Sequence, residues 1–289
     1  MKFGILPPYR SGVTADPDWM IGFTRHAEAV GFESIYVVEH AVVPGGYATK
    51  YPYSETGRMP LPDDCPIPDP LELLAFLAAV TDRIILATGI LVLPEHNPVL
   101  LAKRLSTLDV LSRGRMRLGI GVGWMREEIE SVGVDFDSRG TRTDEMIDVM
   151  RVLWSAESAT HHGEFFSFTD AVSRPQPVQI GGVPIHVGGH SPAAARRAGR
   201  FGDGFQPLGL GDDALVARLD LLAATAVEHG RDPASIELTL GGLLDSMDGA
   251  TVDRAAAAGA HRLLISTREG DLDLVRGQMD AFAERFLRS

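Results

Sequence analysis

The stretch Ile84–Trp124, IILATGILVLPEHNPVLLAKRLSTLDVLSRGRMRLGIGVGW, decides the fold. Ile84–Thr88 is short, continuously apolar and β-branched, which predicts a buried strand. Asn97–Leu111 predicts a helix, with Pro98 just inside its start, where a missing N–H costs nothing. Arg115–Ile120 predicts the next strand. Strand, helix and strand at this spacing mean a parallel sheet. Gly121, Val122 and Gly123 then let backbone N–H groups approach something closely. Ligands of such folds sit at the carboxyl ends of the strands, so these glycines mark a binding mouth.

The same period extends in both directions. Eight strands are expected, at Lys2–Leu6, Ser34–Val38, Ile84–Thr88, Arg115–Ile120, Pro184–Val187, Gly204–Pro207, Ile236–Leu240 and Arg262–Ile265. Helical patterns cover Asp18–Val30, Asn97–Leu111, Glu127–Ser131, Thr141–Trp154, Asp213–Glu228 and Asp271–Phe286. Others start near Pro70, with Asp69 as N-cap, and at Ala193. Two segments break the period: a Pro-, Gly- and Tyr-rich loop at about 41–69, and an insertion at about 161–182 in which GEFFSFTD reads as a hairpin arm. The expectation is one α/β domain over residues 1–289, a (β/α)8 TIM barrel with insertions after strands 2 and 4. The rival is an open doubly wound sheet. The even spacing of the strands and the lack of an early G-x-G-x-x-G favour the barrel.

At 289 residues, with 45% hydrophobic and 23% charged, the chain can bury a sizeable core. Its net charge of −12 argues against a nucleic-acid partner or an anionic membrane surface. A small anionic ligand stays open, because helix N-termini can hold one locally. Cys65 is the only cysteine, so no internal disulfide can form, and a reducing cytoplasmic location is expected. The start MKFGILPPYR reads as a first barrel strand and lacks a signal peptide's apolar run. No apolar stretch is long enough to span a membrane.

Chemistry is sought at the strand ends. Few ionisable groups and many glycines and apolar residues are expected there, which suits a flat cofactor that brings its own chemistry. His40, after the second strand, is the one evident acid/base group; the alternative is a loop histidine satisfied by Glu39 or water. Gly188, Gly189, His190 and Ser191 precede Pro192 at a helix start, a pattern for an anion site, typically phosphate. The plainer reading is a tight turn with a Ser cap. GIGVGW lacks the third glycine of a dinucleotide fingerprint. His161, His162 and Glu164 resemble a metal cluster, but adjacent histidines project differently and no metal is assigned. Cys65 lies in the acidic loop LPDDCPIPDP, where negative neighbours raise a thiol's pKa. The loop 41–69 carries Tyr47, Tyr51, Tyr53, Arg58 and Met59; it reads as a cover shaping a pocket for an apolar or aromatic substrate, or as a dimer contact or surface loop.

Taken together, YVVEH ending at His40, the stretch from LATGILVLPEHNP to GVGWMREE, IHVGGHSP and AGRFGDGF resemble the bacterial-luciferase-like flavin and deazaflavin enzymes over nearly the full length. YPYSETGRMPLP is similar to the actinobacterial branch of coenzyme F420-dependent oxidoreductases. The resemblance implies that His40 sits over the reactive edge of the deazaflavin ring and that Gly89–Ile90 is a non-prolyl cis peptide whose bulge presses on the ring. It implies that Val92, Gly121, Val122, Gly123 and Glu127 line the ring and its ribityl chain, and that Gly188, Gly189, His190 and Ser191 hold the phosphate. Glu39 fills a place often held by Asp. Trp124 stands where the sugar-phosphate dehydrogenases of this family carry a catalytic glutamate, which argues against their substrate class; with Tyr47 and Tyr53 it is assigned to the substrate pocket.

The first reading is therefore an F420-dependent oxidoreductase acting on a small molecule. The second is an FMN-dependent monooxygenase fed by a separate reductase. The third is a flavin-binding protein without turnover. The resemblance also implies a homodimer.

Overall fold

The computed structural model describes residues 1–62 and 64–288. The strands are β1 Lys2–Leu6, β2 Ser34–Val37, β3 Ile85–Thr88, β4 Leu91–Val92, β5 Met116–Gly121, β6 Ala159–His162, β7 Ser167–Ala171, β8 Ile185–Gly188, β9 Gly204–Gln206, β10 Glu237–Leu243 and β11 Arg262–Ser266. The helices are α1 Pro17–Val30, α2 Pro70–Ala78, α3 Pro98–Leu111, α4 Arg126–Ser131, α5 Arg139–Ser155, α6 Pro192–Phe201, α7 Asp212–Glu228, α8 Gly249–Ala257 and α9 Leu272–Phe286. β1, β2, β3, β5, β8, β9, β10 and β11 pair in parallel around a closed ring, with β3 joining β5 and β11 joining β1. This is the expected (β/α)8 barrel.

Local chemistry explains where elements begin. Asp16, Asp69 and Asn97 each accept two backbone N–H groups at the starts of α1, α2 and α3, and a proline follows each of them. Gly31 ends α1 with φ 105°, a conformation that costs a side chain dearly. The core combines strand residues such as Ile5, Ile35, Leu86, Leu118 and Ile265 with inward helix faces such as Met20, Leu74, Leu105 and Met279, all buried.

β3 and β4 are one strand with an extra residue. Ala87 pairs with Arg117 and Leu91 with Ile120, so four steps on one side match three on the other. The bulge holds the cis Gly89–Ile90 bond that the resemblance implied.

Inside the barrel, at the end away from the mouth, charges replace oil. Arg262 is fully buried, and it bonds both oxygens of Glu33 at 2.8 and 2.9 Å and Glu237 at 3.0 Å. Arg117 adds a 2.6 Å bond to Glu33. Together these guanidinium groups hold the Glu33 carboxyl far below its ordinary range against the cost of burial. His186, buried beside them, is pushed down to about 3, first by burial and then by the two arginines.

Between β2 and α2, the described residues of the 38–69 segment form no helix or strand. β6 and β7 form the expected antiparallel hairpin. Its turn hangs on Glu145, whose carboxylate accepts the N–H groups of Glu164, Phe165 and Phe166. His161 bonds Glu145 and His162 bonds Ser167, so the two rings turn to different partners. Among the described residues, no helix is long and apolar enough to cross a membrane.

Candidate active site at the barrel mouth

His40 leaves β2 in the mouth, and its Nδ1 lies 2.9 Å from Glu128 on α4. The same carboxylate accepts the Ala41 N–H at 2.8 Å. An acceptor-only group on Nδ1 fixes the tautomer with its proton there and leaves Nε2 as the unprotonated ring nitrogen. The alternative partner, Glu39, is used elsewhere. It is buried, one oxygen takes the Val92 N–H, and the other meets His96 Nε2 at 2.9 Å. Glu39 thereby fastens β4 just beyond the bulge.

The bulge presents Ile90 to the strand ends. A Cβ on Gly188 would lie 2.7 Å from Ile90 Cγ2, and one on Gly121 would lie 2.6 Å from Ile90 Cδ1. These two glycines therefore make room for Ile90 before they make room for a ligand. Gly123 has φ 76°, and the place of its missing Cβ is crowded by Val92 and Ile129. Val122 follows β5 on the same rim.

Across the mouth, Gly189 has φ 112° and opens the turn into α6. Ser191 caps that helix through the Ala194 N–H at 3.1 Å. Arg218 of α7 donates to the His190 carbonyl at 2.9 Å and brings a cation to the loop. His190 Nδ1 and Gln206 Oε1, at the ends of β8 and β9, are shut from water and have no partner among the described residues. Buried polar atoms are rarely left so, and a bound ligand would satisfy them.

Aromatic rings from the 38–69 segment roof the mouth. Tyr47 and Tyr51 meet Trp124 edge-on at 5.5 and 5.0 Å between centroids, and Tyr53 meets the His190 ring at 4.9 Å. Burial raises the Tyr51 phenol to about 12 and raises Tyr53 as well, so the roof is neutral. Arg58 steadies Tyr47, bonding its carbonyl at 2.8 Å and lying over its ring. Glu127 takes the Ala48 and Thr49 N–H groups and the Thr49 hydroxyl, at 2.7, 3.1 and 2.7 Å. Its carboxylate clasps the strap rather than standing open to the mouth, and those bonds, the Thr49 hydroxyl first, lower its pKa to about 2.

More ionisable groups meet here than the sequence suggested: Glu39, His40, Glu95, His96 and Glu128. Glu128 went unremarked because Glu127 precedes it, and only the phase of α4 decides which acid faces His40. Arg218 and Gln206 carried no local signal. Cys65 donates to the Tyr9 carbonyl at 3.2 Å, and its thiol is pushed up by burial and by Asp64.

A family described as luciferase-like monooxygenase matches residues 1–285. An uncharacterized protein of Mycobacterium tuberculosis is 36% identical over 82% of this chain and 80% of its own. An F420-dependent glucose-6-phosphate dehydrogenase of Microbacterium testaceum is 30% identical over 68% of this chain and 56% of its own. An FMNH(2)-dependent dimethylsulfone monooxygenase of Pseudomonas fluorescens is 31% identical over 79% of this chain and 61% of its own.

Proposed function

The chain belongs to the luciferase-like monooxygenase family, and from that membership we propose that it is an F420-dependent oxidoreductase, moving a hydride between the deazaflavin and a small organic substrate. The observation that carries this reading is the His40–Glu128 pair, with Nδ1 taken by the carboxylate, at a glycine-rich set of strand ends. The residues present fit a flat ring with an anionic tail. Ile90 offers an apolar platform, and the start of α6, Arg218 and the unpartnered atoms of His190 and Gln206 offer polar anchors. When bound, the deazaflavin supplies the hydride chemistry. His40 holds or moves a proton at Nε2, Glu128 keeps its ring in register, and the aromatic roof excludes water.

Trp124 in place of a catalytic glutamate points away from sugar phosphates, although one relative acts on glucose 6-phosphate. Neutral rings in the roof suit an uncharged, flat substrate. A second copy of the chain is the proposed partner; Phe76 on α2 and Leu100 and Leu111 on α3 stand exposed and offer it an apolar face.

The FMN-dependent monooxygenase reading, with a separate flavin reductase as partner, is favoured by the 31% identity to the dimethylsulfone enzyme. Equilibrium titration of the apo protein with F420 and with FMN, followed by cofactor fluorescence, separates the two. Tight F420 and weak FMN binding is expected. A preference for FMN moves the assignment to the monooxygenase, and binding of neither overturns both.

A further inference from the structure

Three carboxyl groups from three elements gather behind His40. Glu39 follows β2, Glu95 ends the turn after β4, and Glu128 lies on α4. Two of them are fully engaged as acceptors, Glu39 by Val92 and His96, and Glu128 by His40 and Ala41. Glu95 differs. Both its oxygens are sealed from water, and neither has a hydrogen-bond partner among the described residues. Arg142 of α5 donates to the carbonyl of Pro94, the residue before Glu95, and not to the Glu95 carboxyl. The two histidines of the cluster are already paired with the other two acids.

A bare carboxylate in such a place would be buried, unpaired and repelled by two neighbours of like charge. Burial first, then Glu128 and Glu39, push the acid up to about 9. A neutral acid has no charge for a counter-ion to answer, although its O–H still finds no acceptor among the described residues.

On the reading that His40 is the proton-handling group, we propose that Glu95 is a positioning residue for it: the wall behind the His40–Glu128 pair is built around Glu95 as an uncharged acid, and the pair loses its setting when Glu95 gives its proton to solvent. The ionised form places a third carboxylate in the wall. The turn 93–95 must then move outward or admit water. That turn is fastened to Glu39 through Val92 and His96 on either side of it, so its movement reaches the residue next to His40. Alkali therefore disables the site through Glu95, with His40 as the responder.

The test uses Glu95→Gln, which keeps a neutral side chain of the same shape, and Glu95→Met as a second variant that needs no partner. Infrared difference spectra between wild type and either variant are expected to show the carbonyl band of a protonated carboxylic acid at neutral pH. In wild type that band fades as the pH passes about 9. Nitrogen-15 shifts of the His40 ring, assigned by its loss in His40→Ala, are expected to report the bond to Glu128. In wild type they change over that same range, and in Glu95→Gln they do not. Absence of the band at neutral pH overturns the proposal. So does a His40 transition at the same pH in wild type and Glu95→Gln. Neither readout needs cofactor or turnover, so a failure of the F420 assignment leaves this test intact.

Discussion

His40 and Glu128 are joined by a 2.9 Å bond between Nδ1 and Oε2, although 88 residues separate them in the chain. The other oxygen of Glu128 holds the N–H of Ala41, the residue after His40. One carboxylate thus sets both the tautomer of the imidazole and the path of the backbone that carries it. Glu128→Ala is expected to lower kcat about 10- to 100-fold, the worth of one charge-assisted bond, while cofactor Kd stays within about twofold. Rapid-mix kinetics beside fluorescence titration checks this. Equal losses in kcat and cofactor affinity would show Glu128 to be structural for the whole mouth.

Glu128 also shows where sequence reading stops. The barrel was legible because eight short apolar strands recur with helices between them, and capping residues such as Asp69 and Asn97 mark the helix starts. Helix α8 was missed. Its run of alanines gives no apolar stripe, and only Ala255 is buried, so the Asp248 cap stood without a pattern behind it. β10 runs three residues past the expected Leu240, because Gly241 and Gly242 read as a stop. His40 and the turn 188–191 could be found from strand ends. Glu95, His96 and Arg218 could not, because their roles depend on which strands close side by side.

Gly188 and Gly121 face the same side chain, yet alanine at each should cost differently. At Gly188 the new methyl meets Ile90 Cγ2 at 2.7 Å and also the Ile120 carbonyl at 3.1 Å, which is backbone in a barrel strand. At Gly121 its three nearest neighbours all belong to the Ile90 side chain, the flexible end first. Gly188→Ala is expected to cost about 2–3 kcal/mol and Gly121→Ala about 1 kcal/mol or less. Urea unfolding gives both values, and the reverse order would mean that Ile90 is the rigid member.

The Glu127 clasp predicts an acid-labile roof. Its pKa falls from an ordinary 4.5 to about 2, so the clasp is complete above about 4.5 and is lost as the pH drops towards 2. Glu127→Ala removes it at every pH. Cleavage within 41–69 by a nonspecific protease is expected to speed up several-fold in that variant at pH 7, with Trp124 emission shifting as its tyrosine neighbours leave. Unchanged cleavage would mean that the contacts of Tyr47 and Tyr51 with Trp124 hold the segment without the clasp.

Trp124 is the fixed member of the roof, since it lies in the short turn between β5 and α4 while the tyrosines ride on the 38–69 segment. Trp124→Leu keeps an apolar side chain but removes the flat face and both edge-on contacts. For an uncharged aromatic substrate, KM is expected to rise about tenfold, near the upper end of what an aromatic pair is worth, with cofactor Kd unchanged. Steady-state kinetics over a series of aromatic and aliphatic substrates reads this out. A loss equal for both kinds would remove the ring-on-ring account of selectivity.

Glu95 makes stability itself depend on pH, with a sign opposite to that of most carboxylates. Its folded pKa of about 9 stands above the unfolded 4.5, so between these values the folded chain holds a proton that the unfolded chain has released. The contribution is whole below about 4.5, declines as the pH rises and is exhausted near 9. Each unit of pH in that window is worth at most about 1.4 kcal/mol, so a loss on the order of 1–3 kcal/mol between about pH 4.5 and neutral pH is the expected size. Glu95→Gln has no proton to lose and removes this slope. Urea unfolding of both proteins at pH 5 and pH 8 should find them close at the lower value, with the variant ahead at the higher one. Parallel stability curves across that interval would place Glu95 among ordinary ionised surface carboxylates.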